Sequence, residues 1–518
     1  MLFQEVRGRV VVNGLLSPTF QVNSGVRQGC PLSPLLYIFA LEPVLAKIGK
    51  SKQITGVIIP GSGQQEVKLV AYMDDVTLMC RDNYSVHKAL DIMRLFGRAS
   101  GSKINTEKSH AMCMGEWEGK EEIERVLIVE EEGVKILGVV FDREINGIKN
   151  WVEVLRKLKI KTEYWKLRNL TLEGKLLIVK MILMPILLYV ARVFPPNLVT
   201  SRTIIRHLFQ FFWGGRFEKV KRETVMVQRN QGGKGFPNVI YVLWVYFVCY
   251  TINAALEMNK KYSFFARFYF GQSLRKMGLM KLTHTVPYSD EMPFLYRKTM
   301  SFIVQNSLCE KMQGNWSAKE LIKKKEISGK LCRVGLLNDS ASETIWENVN
   351  YSRLNNRQKD LAWLSAHGRL PCKEHLYKKH MVKSDKCVKN GCTAAETIQH
   401  VFFECVYAKE CWKRVARLSK KFVRDQDMCV NLILYGPKKG IKTNASEKGW
   451  IIINCVKEAL WIVRNRNVYN LKIEITVDDF CKIVIVKIRD YVWLDMVALG
   501  KAVALKKWKI NSLGDLFL

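Results

Sequence analysis

The segment KLVAYMDDVTLMC, residues 68–80, constrains the fold more than any other stretch of the chain. Two β-rich apolar runs flank the pair Asp74-Asp75, so the backbone must extend, turn tightly and extend again. Two carboxylates in one tight turn repel each other, and a cation or solvent must relieve the repulsion. Two-metal phosphoryl transfer offers that relief, because paired carboxylates hold Mg²⁺ ions. An Asp-Asp pair alone is common in exposed turns. The frame apolar-Tyr-Met-Asp-Asp-apolar around this one is much more specific.

The neighbouring segments read as mixed α and β. RGRVVVNGLLSPTFQV (7–22) predicts a hairpin turning at Asn13-Gly14. A turn-rich piece, GVRQGCPLSP (25–34), leads into a helix-like run over 35–48. Residues 85–99 predict a helix capped by Ser85 and ended by Gly101, with Ala89, Ile92, Met93 and Phe96 on its apolar face. A strand is expected at VKILGVVF (134–141). From about residue 150 helical patterns dense in Lys and Arg take over, with loops at Pro195-Pro196, Gly214-Gly215 and Gly232-Gly233. Residues 258–350 carry no motif. Ile452, Cys455, Val456, Ala459, Leu460 and Val463 predict one apolar stripe on an amphipathic helix.

Charge narrows the function classes. Lys and Arg total 82 against 48 Asp and Glu, for a formal charge of +34. Cations release condensed counterions from phosphates, so this surplus favours a nucleic-acid partner. It is spread along the chain among aromatics, as in KIKTEYWKLRNL (159–170) and RFEKVKRETV (216–225). The 13 Trp offer stacking surfaces, although core packing is the ordinary role of any one of them. The apolar runs 181–191 and 239–252 are shorter than the roughly 20 residues that cross a bilayer. They are expected to be buried helices of a soluble protein with no membrane partner.

Cysteine usage points to metal. Five of the 14 cysteines fall between Cys372 and Cys411. Cys387-x4-Cys392-x7-His400-x4-Cys405 sets four soft or borderline donors at short spacing, and a thiolate-rich tetrahedron favours Zn²⁺. With every position filled by protein, such a site is structural. The alternative is a set of packed cysteines beside a chance histidine. Cys372, His375, His380 and Cys411 are read as non-ligands.

Several motifs, in order, resemble the reverse transcriptases of LINE-type (non-LTR) retrotransposons. Ala71-Tyr72-Met73-Asp74-Asp75-Val76 looks like the catalytic turn of that family's palm. Ser24 through Pro34 (SGVRQGCPLSP) resembles the preceding motif, which lies by the incoming nucleotide and template. GSKINTEKS (101–109) is similar to the segment whose lysine, here Lys108, protonates the leaving pyrophosphate. Ile136-Leu137-Gly138 resembles the primer grip. LRNLTLEGK (167–175) looks like the thumb signature, GGKGFP (232–237) like the later glycine-rich loop, and AHGRLP (366–371) with ETIQHVFFEC (396–405) like the carboxy-terminal cysteine–histidine segment.

The resemblance implies an α+β chain. Its parts would be a partial right-hand polymerase palm (1–145), a helical thumb and connection (146–257), a linking region (258–358), a Cys/His zinc-binding segment (359–415) and a helical carboxy-terminal region (416–518). It implies catalytic Asp74, Asp75 and Lys108, with Mg²⁺ on the two aspartates. Arg27, Gln28, Gly29 and Tyr72 would line the nucleotide and template site, and Leu137 and Gly138 would grip the primer. Structural Zn²⁺ would sit on Cys387, Cys392, His400 and Cys405. The partners implied are an RNA template, target DNA and deoxynucleotide triphosphates, and the place of action is the nucleus. One departure counts against catalysis by these residues alone. The family's first catalytic aspartate precedes the Ser24–Pro34 motif, and residues 1–24 contain no aspartate. The expectation is a polymerase fragment that is inactive by itself; the alternative is a non-catalytic RNA- or DNA-binding protein from a decayed or repurposed element.

Overall fold

The computed structural model describes residues 6–22, 29–257, 262–279, 291–308, 316–327, 331–334, 342–420, 429–469 and 475–512. Its contacts divide the chain into two compact units that alternate along the sequence. One comprises Met1–Glu153, Arg192–Pro195 and Tyr246–Trp316; the other comprises Val154–Ala191, Pro196–Val245 and Ser317–Leu518.

The first unit carries the β structure. Val11–Val12 pairs antiparallel with Leu15–Leu16 across Asn13 (φ 50°) and Gly14 (φ 82°), the hairpin expected from the Asn-Gly signal. Leu69–Tyr72 pairs antiparallel with Asp75–Leu78, in the register Leu69↔Leu78 to Tyr72↔Asp75. Behind this hairpin the helices Ser33–Lys50 and Asn83–Ser100 pack on each other. Val44, Ile48, Ile54 and Ala89 form the buried centre of the contact, and Leu69 and Leu78 of the hairpin pack against it. The cross-strand pair Leu69 and Leu78 thus anchors one end of the ladder on the core. It leaves the aspartate turn at the far, open end.

Two local expectations need correction. The helix Asn83–Ser100 is capped by Asp82, whose carboxylate accepts the Ser85 N–H at 2.7 Å; Ser85 itself is buried, and its Oγ accepts the Thr55 N–H at 2.8 Å. A carboxylate at the N-cap also favours the positive end of the helix, so the earlier residue wins. Gly101 closes the helix at φ 75°, as expected. The stretch 134–141 is two strands, Val134–Ile136 and Val139–Phe141, around a turn at Leu137 (φ 47°) and Gly138 (φ 82°). Among the described residues every ladder is two-stranded, so the hairpins are held by helices and by no larger sheet.

The second unit is helical. The Asn444–Tyr469 helix runs through its centre and contacts the helices Asn356–Ala366, Val406–Lys420 and Val477–Leu499. Every side from Lys448 to Leu460 is buried, including Lys448, Asn454, Lys457 and Glu458. The apolar stripe read from the sequence is therefore one face of a helix enclosed all round. A polar pattern did not mean exposure here, because Lys448 meets Asp495 at 3.0 Å and Glu458 meets Lys487 at 2.8 Å. Trp346, Trp363, Trp450 and Trp508 are fully buried, so for these four core packing excludes base stacking.

The two apolar runs form longer helices than the sequence suggested. Leu172–Ala191, which includes a π-helical turn over Val179–Leu183, and Val239–Leu256 have the length and apolar composition to cross a membrane. In their most apolar windows, 39% and 56% of residues respectively are buried within the protein.

Candidate functional site

The aspartate turn is built by strain as well as by pairing. Tyr72 and Asp75 face each other as the last pair of the ladder, so Met73 and Asp74 alone make the connection. Met73 adopts φ 55°, a left-handed conformation that costs a residue with a β-carbon about 1 kcal/mol or more. A two-residue turn of this hand matches the twist of the strands, and the ladder enforces it. Asp74 and Asp75 are both exposed, and among the described residues neither has an ion-pair partner. Two adjacent carboxylates with open oxygens are a donor set suited to Mg²⁺. Tyr72 is 62% exposed beside them.

The other residues expected at this site lie in the same unit. Lys108 ends a short 3-10 turn, Thr106–Lys108, where the Asn105 side chain accepts its N–H at 3.2 Å. Its side chain is exposed. Leu137 and Gly138 occupy the tip of their own hairpin, with Leu137 44% exposed. Gly29 sits at φ 86° just before the helix Ser33–Lys50. Arg27 and Gln28 lie outside the described residues. No hydrogen bond or ion pair among the described residues joins Lys108 or Gly138 to the aspartate turn.

The four expected metal ligands come together in the second unit. Cys387 Sγ, Cys392 Sγ, Cys405 Sγ and an imidazole nitrogen of His400 all lie within 4.8 Å of one another. A zinc tetrahedron with Zn–S near 2.3 Å has edges of about 3.8 Å, so the set needs only slight contraction. His400 Nε2 already stands 3.4 Å from Cys392 Sγ. The local chain explains the convergence. Cys387 N–H donates to Ala394 at 2.9 Å and Cys392 N–H to Lys389 at 3.1 Å, with Gly391 at φ 77° in the turn. These bonds close the four-residue gap between the cysteines. Thr397 Oγ1 accepts the His400 N–H at 2.9 Å, and the π-helical turn His400–Glu404 returns Cys405 beneath the imidazole.

Electrostatics in this cluster favour a cation. The Cys387 thiol donates to Cys405, which holds Cys405 well below the usual thiol range and pushes Cys387 well above it. The Ala408 and Tyr407 N–H groups, at the start of the helix Val406–Lys420, add to the stabilisation of a Cys405 thiolate. Three crowded sulfurs cannot all ionise unless a metal balances them. Buried Glu396 ties the loop to the core: its Oε1 accepts the Lys373 N–H at 2.8 Å and Arg464 Nη2 at 2.6 Å. Cys372 and Cys411 lie outside the cluster, and burial pushes both thiols up to about 12.

Three of the sequence motifs also meet in the second unit, through residues that sequence reasoning did not single out. Lys234 of the glycine-rich loop is fully buried, 3.1 Å from Glu173 and 2.8 Å from Asp360. Asp360 Oδ2 also accepts the Leu172 N–H at 2.8 Å, at the start of the helix Leu172–Ile178. The Gly232 carbonyl accepts Trp363 Nε1 at 2.8 Å, and His367 Nε2 lies 2.8 Å from the same oxygen. Burial, first, drives the His367 pKa down to about 4, so the imidazole is neutral. A β-carbon at Gly233 would fall 1.8 Å from the Val227 carbonyl oxygen, which is why glycine stands there. Asp360 and Trp363 sit six and three positions ahead of Ala366, where a recognised motif begins, on an unremarkable helix, and nothing local marked them.

Cations flank the buried stripe of one helix on both sides. On Ile148–Lys166 the residues Trp151, Val154, Leu158 and Thr162 are buried, while Lys157, Lys159, Lys161 and Lys166 are exposed. His207 is held below its ordinary pKa by burial and then by Arg206, Lys159 and Lys166. Such a field suits a polyanion.

Residues 3–141 match the family model described as reverse transcriptase (RNA-dependent DNA polymerase), and residues 296–412 match that described as zinc-binding in reverse transcriptase. The second match begins within the stretch where the sequence showed no motif. The chain is 28% identical over 235 residues to an uncharacterized 149 kDa protein of transposon TX1 from Xenopus laevis, covering 44% of this chain and 17% of that protein. It is 30% identical over 88 residues to the retrovirus-related Pol polyprotein of the type-1 retrotransposable element R2 from Popillia japonica, covering 17% of this chain and 12% of that one. The chain thus spans less than a fifth of either curated relative.

Proposed function

Because this chain belongs to the reverse transcriptase family of non-LTR retrotransposons, we propose that it is part of an RNA-directed DNA polymerase and supplies one side of the catalytic metal site. The observation that carries this reading is the strained, open hairpin turn presenting Asp74 and Asp75 inside the matched segment. Bound there, Mg²⁺ would activate a primer 3′-oxygen and neutralise the departing pyrophosphate. The protein's own residues position the reactants. Tyr72 and Gly29 border the nucleotide and template, the Leu137-Gly138 tip holds the primer end, and Lys108 delivers a proton to the leaving group. Lys157, Lys159, Lys161 and Lys166, on the two flanks of their helix's buried stripe, grip template RNA and target DNA. Zn²⁺ on Cys387, Cys392, His400 and Cys405 is structural, since no ligand position is left for substrate.

Taken by themselves, these 518 residues also fit a second reading, nucleic-acid binding without catalysis. No aspartate precedes Asp74 in these 518 residues. Two-metal transfer needs carboxylates on more than one side of the ions. The nearest later aspartates are committed elsewhere: Asp82 caps a helix, and Asp91 pairs with Arg94 at 3.3 Å. Both readings require binding. Anisotropy of a labelled RNA–DNA hybrid at two ionic strengths tests them together. Tight binding that weakens steeply with salt is expected; no binding at low salt, or salt-independent binding, removes both.

A further inference from the structure

A second basic surface lies in the first unit, away from the aspartate turn. The flank of the helix Asn83–Ser100 forms one wall of a groove of about 1370 Å³. The end of the Ser33–Lys50 helix, the loop 101–106 and residues Val126 and Leu127 complete it. None of Asp74, Asp75, Tyr72, Gly138 or Lys108 lines it. Six cations do: Lys47, Lys50, Lys88, Arg94, Arg98 and Lys103, against the single carboxylate Asp91. Asp91 pairs with Arg94, and among the described residues the other five cations have no carboxylate partner. Helix dipoles account for Lys47, Lys50 and Arg98, which sit in last turns. They do not account for Lys88, in the second turn of its helix, or for Lys103, beyond the glycine cap.

The helical spacing arranges these charges as a track. Lys88, Asp91, Arg94 or Leu95, and Arg98 succeed one another at three or four residues, so they share one face. At 1.5 Å per residue that face runs about 15 Å from Lys88 to Arg98. Ile92, Met93, Leu95 and Ile104 give the groove an apolar floor, and no aromatic ring lines it. A small anionic metabolite would fill only a fraction of such a volume. A duplex, wider than the roughly 12 Å of its major groove, would take up more than this volume over the same length, so one strand fits the groove better than two. We propose that this groove holds a single-stranded stretch of nucleic acid by its phosphates, without base stacking and hence without sequence preference. The inference rests on the nucleic-acid reading above and adds a place outside the catalytic turn where a strand runs.

The experiment uses the full chain and a labelled oligouridylate. Log affinity is plotted against log salt for the wild type and for Lys88→Gln/Arg98→Gln/Lys103→Gln. Each phosphate contact on a single strand contributes about 0.7 to the slope, so the triple variant is expected to lose about 2. Lys438→Gln/Lys439→Gln/Lys442→Gln removes the same charge from another exposed site and is expected to leave the slope nearly unchanged. Photo-crosslinking of a 4-thiouridine strand to wild-type protein is expected to label peptides within 88–106, which needs no folded variant. Unchanged slope in the first variant, an equal fall in the control, or crosslinks confined to other peptides overturns the assignment while leaving nucleic-acid binding intact. A slope change seen with duplex DNA and not with the single strand also overturns it. Absence of wild-type binding to any nucleic acid removes the underlying reading as well.

Discussion

Replacing Lys234 by Met should open the junction where three motifs of the second unit meet. The ammonium is fully buried, 3.1 Å from Glu173, 2.8 Å from Asp360 and 5.1 Å from the centre of the Trp363 ring. Methionine fills a similar volume, so little packing is lost. What is lost is the charge between two carboxylates that are only 10% and 14% exposed. Removing one partner of a buried ionic set costs about 3–5 kcal/mol. Glu173 keeps its pair with Arg229 and Asp360 keeps the Leu172 N–H, so the lower end, about 3 kcal/mol, is expected. Native-state hydrogen exchange reads this locally: amides of the helices Leu172–Ile178 and Asn356–Ala366 should exchange on the order of a hundredfold faster. Adding Glu173→Gln and Asp360→Asn should recover most of the loss, because the charges left unpaired are then gone. Exchange in Lys234→Met within about fivefold of wild type, roughly 1 kcal/mol, would refute the assignment of this junction to the buried lysine.

Elemental analysis of purified protein should find about one zinc per chain, lost in Cys392→Ala and in His400→Ala but kept in Cys411→Ala; retention in the first two would place the metal elsewhere. Lys457 is enclosed by Phe402 and Trp450, and burial pushes its pKa down to about 7. The unfolded chain takes up that proton below about pH 10.4, so the native state binds fewer protons between the two values and stability rises with pH from about 7 to about 10. Lys457→Met should flatten this rise in denaturant melts at pH 7 and 9.5 and stabilise the protein at pH 7; an unchanged pH dependence contradicts the burial. At the aspartate turn, Met73→Gly should raise local stability by about 1 kcal/mol and Met73→Val should lower it, because only glycine adopts φ 55° without strain. Hydrogen exchange across Leu69–Leu78 reads both, and equal effects would deny the strained turn.

The sequence was most informative where a local rule and a tertiary requirement agree. Asn13-Gly14 turns a hairpin by its own dihedral preferences, and Gly101 ends a helix for the same reason. The Asp74-Asp75 turn was legible from its apolar flanks. The Cys/His spacing was legible because ligands must be close in space and, here, are close in sequence. Less was legible where a neighbour overrides a local rule. Leu137 is a poor turn former, and the 134–141 hairpin forms because the two flanking strands pair around it. Thr55 claims Ser85, so the cap passes to Asp82. The junction of Glu173, Lys234 and Asp360 joins residues 61 and 126 positions apart, and no local pattern encodes such a contact. The burial of Lys448 and Lys457 comes from the surrounding helices, which an apolar stripe on one helix does not encode.

Primer extension tests most directly the claim that Asp74 and Asp75 supply one side of a polymerase metal site. Residues 1–518 are expected to give no product on a primed RNA template with Mg²⁺ or Mn²⁺. The same chain, extended in frame by a segment that supplies the further aspartate, is expected to synthesise DNA, and Asp74→Asn in that longer protein is expected to abolish synthesis. Robust synthesis by residues 1–518 alone, or synthesis by the longer protein that survives Asp74→Asn, would contradict the account.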